Sequence, residues 1–119
     1  MKNLFLFLLL FPMMLNAQTF NYGHTTVKYT DLKGDHQEGV VNKEGYVTFT
    51  DSTVVYFEAE SDICHKPYKD TMEVLMTSKM AYEGVSYLIS DSKYFIRYPH
   101  KVLFIRKVGG IWLYETLKP

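Results

Sequence analysis

Residues 85–117 read VSYLIS-DSK-YFIRY-PHK-VLFIRK-VGG-IWLYETL, and they constrain the fold more than any other part of the chain. Four apolar, aromatic and β-branched runs alternate with breaks that carry Asp91-Ser92, Pro99-His100 and Gly109-Gly110. Runs this short, bounded by turn residues, are the signature of antiparallel strands joined by hairpins. Tyr, Phe, Ile, Val and Trp suit a pleated surface, and no run is long enough for a stable helix. The expectation is a β-meander that frames the whole domain.

The preceding chain extends the same pattern. Residues 19–30 form a strand region in which Thr25, Val27 and Tyr29 share one face, followed by a turn around Gly34. Residues 37–42 are a short strand, closed by Lys43-Glu44-Gly45 as a tight turn before the strand 46–50. Asp51-Ser52 marks a hairpin into the strand 53–60, where Val54, Tyr56, Glu58 and Glu60 line a face that turns polar towards solvent. Residues 61–70 contain Pro67 and read as a loop. Residues 71–81 fit either a helix or a strand, and Tyr82-Glu83-Gly84 before the next strand favours the strand. About eight strands with short links predict an all-β antiparallel meander, forming a small barrel or a curved sandwich.

The first residues carry an address. Lys2 followed by the apolar residues 4–15 and by Asn16-Ala17 has the build of a secretory signal peptide. The apolar run falls short of the ~20 residues that cross a bilayer. Cleavage after Ala17 makes residues 1–17 the signal peptide and residues 18–119 a single β-domain, secreted or periplasmic, with no transmembrane span left. An uncleaved N-terminal anchor is the alternative. No cysteine stands at the exit, so a lipid-anchored form has no support.

Removing 17 of the 119 residues leaves 102, enough for one domain. Lys2 leaves with them, so 12 basic residues face 13 acidic ones, a formal charge of −1. That balance gives no reason to expect nucleic acid, whose binding depends on cations meeting phosphates. The lone cysteine, Cys64, has no internal partner for a disulfide, so packing and ladder hydrogen bonds must hold the fold.

Chemistry is sparse. Cys64 and His65 are neighbours that point to opposite sides of an extended segment, and they read as loop residues. Glu58 and Glu60 are spaced for one strand face, and read as acidic residues at the solvent end of a strand. No catalytic, cofactor-binding or metal-ligating residue is assigned.

Charge and aromatics say more. Residues 31–91 hold 12 acidic and 5 basic residues, whereas residues 93–119 hold 6 basic residues and Glu115. Cross-strand pairing accounts for this, and a basic face for an anionic partner is the sharper account. Tyr94, Ile96 and Tyr98 share one strand face and Phe95 takes the other, while Trp112 and Tyr114 oppose Ile111 and Leu113. Both faces are thus partly apolar, and the one outside the core needs a cover. Tyr94, Tyr98, Arg97, Arg106, Trp112 and Tyr114 are the candidate surface for an unknown protein or a small apolar or anionic ligand. The reading is a small exported, non-catalytic binding or interaction module. The alternatives are an envelope-associated structural protein working through a sheet edge or dimer face, and then a small enzyme.

Overall fold

The computed structural model describes residues 17–59 and 66–119. The signal-peptide expectation, apart from Ala17, lies outside the described residues, as do Glu60, Cys64 and His65. The described chain is all-β and antiparallel, with eleven strands. They are β1 (Gln18–Tyr22), β2 (His24–Thr30), β3 (His36–Val41), β4 (Gly45–Phe49), β5 (Thr53–Glu58), β6 (Tyr68–Glu73), β7 (Met76–Met80), β8 (Gly84–Ser90), β9 (Lys93–Arg97), β10 (Val102–Val108) and β11 (Ile111–Lys118). A small sheet has the order β1-β4-β5-β6, and a large sheet has the order β3-β2-β11-β10-β9-β8-β7. Among the described residues no helix is long and apolar enough to cross a membrane.

The meander expected over residues 85–117 is present as β8 to β11, side by side in chain order. Its last strand is not an edge. β11 pairs with β10 on one side and with β2 on the other, joining the two ends of the domain.

The strand count exceeds the expected eight because three strands bend and change sheet. β2 pairs with β3 and β1 pairs with β4, so residues 18–30 and 36–49 form one long ribbon. That ribbon passes from the large sheet to the small one at Gly23 and at residues 42–44. Lys43-Glu44-Gly45 is therefore a crossing between sheets, not the hairpin turn that its Gly suggested. Residues 71–81 are extended as expected, but broken at Val74-Leu75. The Val74 N–H donates to the Ser52 carbonyl of the small sheet, and the next N–H, of Leu75, donates to the Leu88 carbonyl of the large sheet. The expected loop 61–70 is shorter than predicted, because Tyr68 to Asp70 already pair with β5.

These crossings also correct the barrel expectation. β6 and β7 follow one another along a bent strand and are not lateral neighbours, so no ladder links the two sheets there. Each sheet keeps two edges, and no closed barrel forms.

True hairpins sit where the turn chemistry predicts them. The Asp31 carboxylate accepts the N–H groups of Lys33 at 3.0 Å and Asp35 at 2.9 Å, and Gly34 takes φ +88°. These backbone donors, that of Asp35 above all, hold the Asp31 carboxyl below its ordinary pKa.

The core lies between the sheets. Tyr22, Val47, Phe49, Val54, Tyr56 and Met72 come from the small sheet, and Tyr87, Phe95, Val102, Phe104 and Leu117 from the large one. The Phe49 and Tyr87 rings meet across the gap with centroids 4.7 Å apart, and Phe95 stacks on Phe104 at 4.4 Å. In β5 the face of Val54, Tyr56 and Glu58 is the buried one. Glu58 is thus an interior residue and not the solvent-end carboxylate expected from its spacing.

Candidate functional site on the outer face of the large sheet

A strand alternates its side chains between two faces, so the ladder registers sort the candidate residues without ambiguity. One row crosses all seven strands of the large sheet: Met76, Leu88, Tyr94, Ile105, Tyr114, Lys28 and Glu38. The adjoining row on that face is Ser78, Ser86, Ile96, Leu103, Thr116, Thr26 and Val40. Neither Ile96 nor Ile105 belongs to the core between the sheets. This is the outer face, turned away from the small sheet.

Its centre is nevertheless nearly dry. Ile105 is 3% exposed and Ile96 6%. Bulky neighbours standing upright on the pleat achieve this, since Leu88, Tyr94, Leu103 and Trp112 around them are half-buried while Tyr114 is 46% exposed. The Tyr94 and Trp112 rings lie 6.3 Å apart. Burial among these groups, and secondarily the neighbouring Tyr114 phenol, raise the pKa of the Tyr94 phenol. The eleven described strands all lie in the two sheets, and the small sheet packs on the opposite face. No described element covers this one.

Tyr98 stands on the same face at the far end of β9. It lies across Gly84, where an added Cβ would come within 2.8 Å of its ring, and the Lys101 ammonium sits 5.3 Å from the ring centre. Four of the six candidate residues, Tyr94, Tyr98, Trp112 and Tyr114, thus share the outer face. Arg97 and Arg106 do not join them. Alternation turns both inward, where Arg97 Nε donates to the Tyr87 hydroxyl at 3.2 Å and the Arg106 guanidinium lies 5.1 Å from the Phe104 ring. The aromatic and basic halves of the predicted surface are therefore on opposite sides of one sheet. What the outer strands offer is apolar area with phenol and indole donors. Their one carboxylate, Glu38, lies 4.0 Å from the Lys28 ammonium.

The structure also assembles a polar cluster that sequence reading missed. Lys43 Nζ lies 3.4 Å from Glu58 Oε1 and 3.9 Å from Glu115 Oε1, and the Arg106 guanidinium reaches Glu115 Oε1 at 3.5 Å. The Tyr56 hydroxyl donates to Glu58, and the Tyr22 hydroxyl donates to the Phe57 carbonyl at 2.9 Å. Burial pushes the Tyr22 phenol up to about 12, and burial together with the Glu58 contact raises that of Tyr56 further. Two carboxylates balance two cations here, and Glu115 and Lys43 are nearly sealed from water. The arrangement ties the sheets together, since Lys43 reaches Glu58 of the small sheet and Glu115 of the large one. A signal for it did exist, since Glu115 alternates in phase with Leu113 and Leu117 on the face that proves to be the core. Among the described residues no three His, Cys, Asp or Glu side chains gather as a metal site.

Compared with protein-family models, with curated proteins and with solved structures, the chain matches none of them.

Proposed function

We propose that this is an exported, non-catalytic interaction module that engages a protein partner through the outer face of its large sheet. One observation carries the reading: Leu88, Tyr94, Ile105 and Tyr114 form an apolar row on a face that no described element covers. The row is packed at Ile105 and open at Met76 and Tyr114, and an uncovered apolar patch on a small domain is a usual mark of an interaction site. An open sheet face favours a protein over a small ligand, because small ligands prefer deep concave pockets. The hollows on this face are open ones. One of about 410 Å³ is lined by Lys28, His36 and Tyr114, and one of about 450 Å³ by Tyr82, Tyr98 and His100.

Site-specific photo-cross-linking tests the reading. A benzophenone side chain replacing Tyr94 or Tyr114 in the secreted protein is expected to yield a discrete protein adduct. The same group replacing Thr48, on the outside of the small sheet, is expected to yield none. Equal adducts from all three positions, or adducts from Thr48 alone, would refute it. Export rests on residues 1–17, and the intact mass of the secreted chain is expected to begin at Gln18.

A further inference from the structure

β7 closes one side of the large sheet and pairs only with β8, in a ladder that runs without a bulge from Met76 opposite Leu88 to Met80 opposite Gly84. All five of its residues are exposed. Natural sheets protect such edges with charges, prolines or bulges, because a row of unpaired N–H and C=O groups recruits another strand. The opposite edge of the large sheet, β3, carries His36, Glu38 and Gly39, and β6 of the small sheet carries Lys69, Asp70 and Glu73, while the uncharged edge β1 has Phe20 half-buried and Tyr22 buried. β7 reads Met-Thr-Ser-Lys-Met, with one charge and no proline. Its two ends are apolar and open, Met76 being 58% and Met80 44% exposed.

We propose that β7 pairs antiparallel with β7 of a second copy of this chain, about a twofold axis through Ser78, so that two large sheets join edge to edge. The sequence of the strand suits itself in this register. Met76 meets the partner's Met80, Thr77 meets the partner's Lys79, and Ser78 meets its own counterpart. The lysines are then never opposed. An axis through Lys79 would set like charges face to face, which is unfavourable across a ladder. Met76 shares the outer-face row of Leu88, and alternation puts Ser78 and Met80 on that face too. Four methionines would gather there across the axis, and thioether side chains adapt to such irregular contacts. Pairing one strand with itself antiparallel gives a closed, isologous dimer and not a filament. The inference stands on the sheet edge and does not require the outer face to bind anything. A five-residue ladder with four methionines falls below the roughly 1,200 Å² of stable interfaces, so the dimer is expected to dissociate on dilution.

Cysteine placement tests the axis. In a chain beginning at Gln18 and carrying Cys64→Ser, Ser78→Cys is expected to form a disulfide-linked dimer in a glutathione redox buffer. Lys79→Cys, equally exposed but opposite Thr77, is expected to do so at least about tenfold less. Sedimentation of the chain without added cysteines should show a concentration-dependent dimer, and Met76→Lys with Met80→Lys should weaken it at least about tenfold while circular dichroism stays unchanged. Equal cross-linking at the two positions, or a dimer indifferent to both lysines, would overturn the proposal. So would a monomer at all concentrations that instead captures a foreign extended peptide along β7.

Discussion

Lys43 Nζ and Glu115 Oε1 lie 3.9 Å apart between the two sheets, with both side chains almost entirely out of solvent. Lys43 belongs to the crossing between β3 and β4, and Glu115 to β11, an interior strand of the large sheet. The same ammonium reaches Glu58 of the small sheet. Removing it would leave Glu58 with no cation among the described residues and Glu115 with only the partly exposed Arg106, and breaking a buried pair on one side costs about 3–5 kcal/mol. Lys43→Met is therefore expected to lose stability of that order in urea denaturation. Arg106, far more exposed, is expected to lose only about 1 kcal/mol as Arg106→Gln, since solvent screens its pairing.

Gly45 is a steric requirement. A Cβ there would lie 1.9 Å from the Phe57 carbonyl oxygen and 2.9 Å from the Tyr22 hydroxyl. The neighbour at fault is backbone, so it cannot rotate away. Gly45→Ala is expected to destabilise by about 2 kcal/mol or more, as overpacking does in a rigid interior. Gly39→Ala, with nothing within 4 Å, is the matched control and is expected to change little. Thermal unfolding of the two variants side by side checks this.

Tyr22 and Tyr56 set the alkaline limit. Both phenols have folded-state pKa values above the ordinary 10, that of Tyr22 at about 12. The folded chain therefore holds protons that the unfolded chain has released. Their contribution is complete below about pH 10 and is lost as pH rises through the folded values, at about 1.4 kcal/mol per pH unit for each group. Unfolding free energies from urea titrations between about pH 9 and 11.5 are expected to fall as pH rises, and Tyr22→Phe to make that fall shallower.

Truncation gives the most severe outcome. β11 lies between β2 and β10, so ending the chain at Val108 would cut the large sheet in two and expose both new edges. Leu117, Glu115 and the outer-face Tyr114 would go with it. Each fully buried large apolar side chain contributes about 1.5–3 kcal/mol, against a total of about 5–15 kcal/mol for a domain. Such a chain is expected to be unfolded or aggregated by circular dichroism and size-exclusion chromatography.

What the sequence revealed, and what it hid, both follow from period-two alternation. The strands of residues 85–117 and the pairing of faces within each were legible, because Tyr94, Ile96 and Tyr98 alternate with Phe95 whatever lies above them. Which face becomes the core was not legible, since β9 and β10 are apolar on both sides and only the position of the small sheet decides. Glu58 and Glu115 were hidden for the same reason, as a carboxylate in phase with Tyr56 or Leu117 looks like any strand end until its cations are placed. The three bends escaped because nothing at Gly23, residues 42–44 or Val74-Leu75 distinguishes a crossing between sheets from a turn. Sheet membership is a long-range property, as at Val74 and Leu75, whose consecutive N–H groups donate to the Ser52 carbonyl and to the Leu88 carbonyl.

The place of β11 has a consequence for the order of events in the cell. β11 is made after the other ten described strands, and it must find β2, which was made among the first of them. Thr25 pairs with Leu117, so the sheet closes over nearly the full length of the domain, and contacts of such separation slow folding. A growing chain can form local hairpins, but it cannot complete the large sheet before β11 has been made. Closure of the large sheet is thus postponed until β11 can reach both of its neighbours.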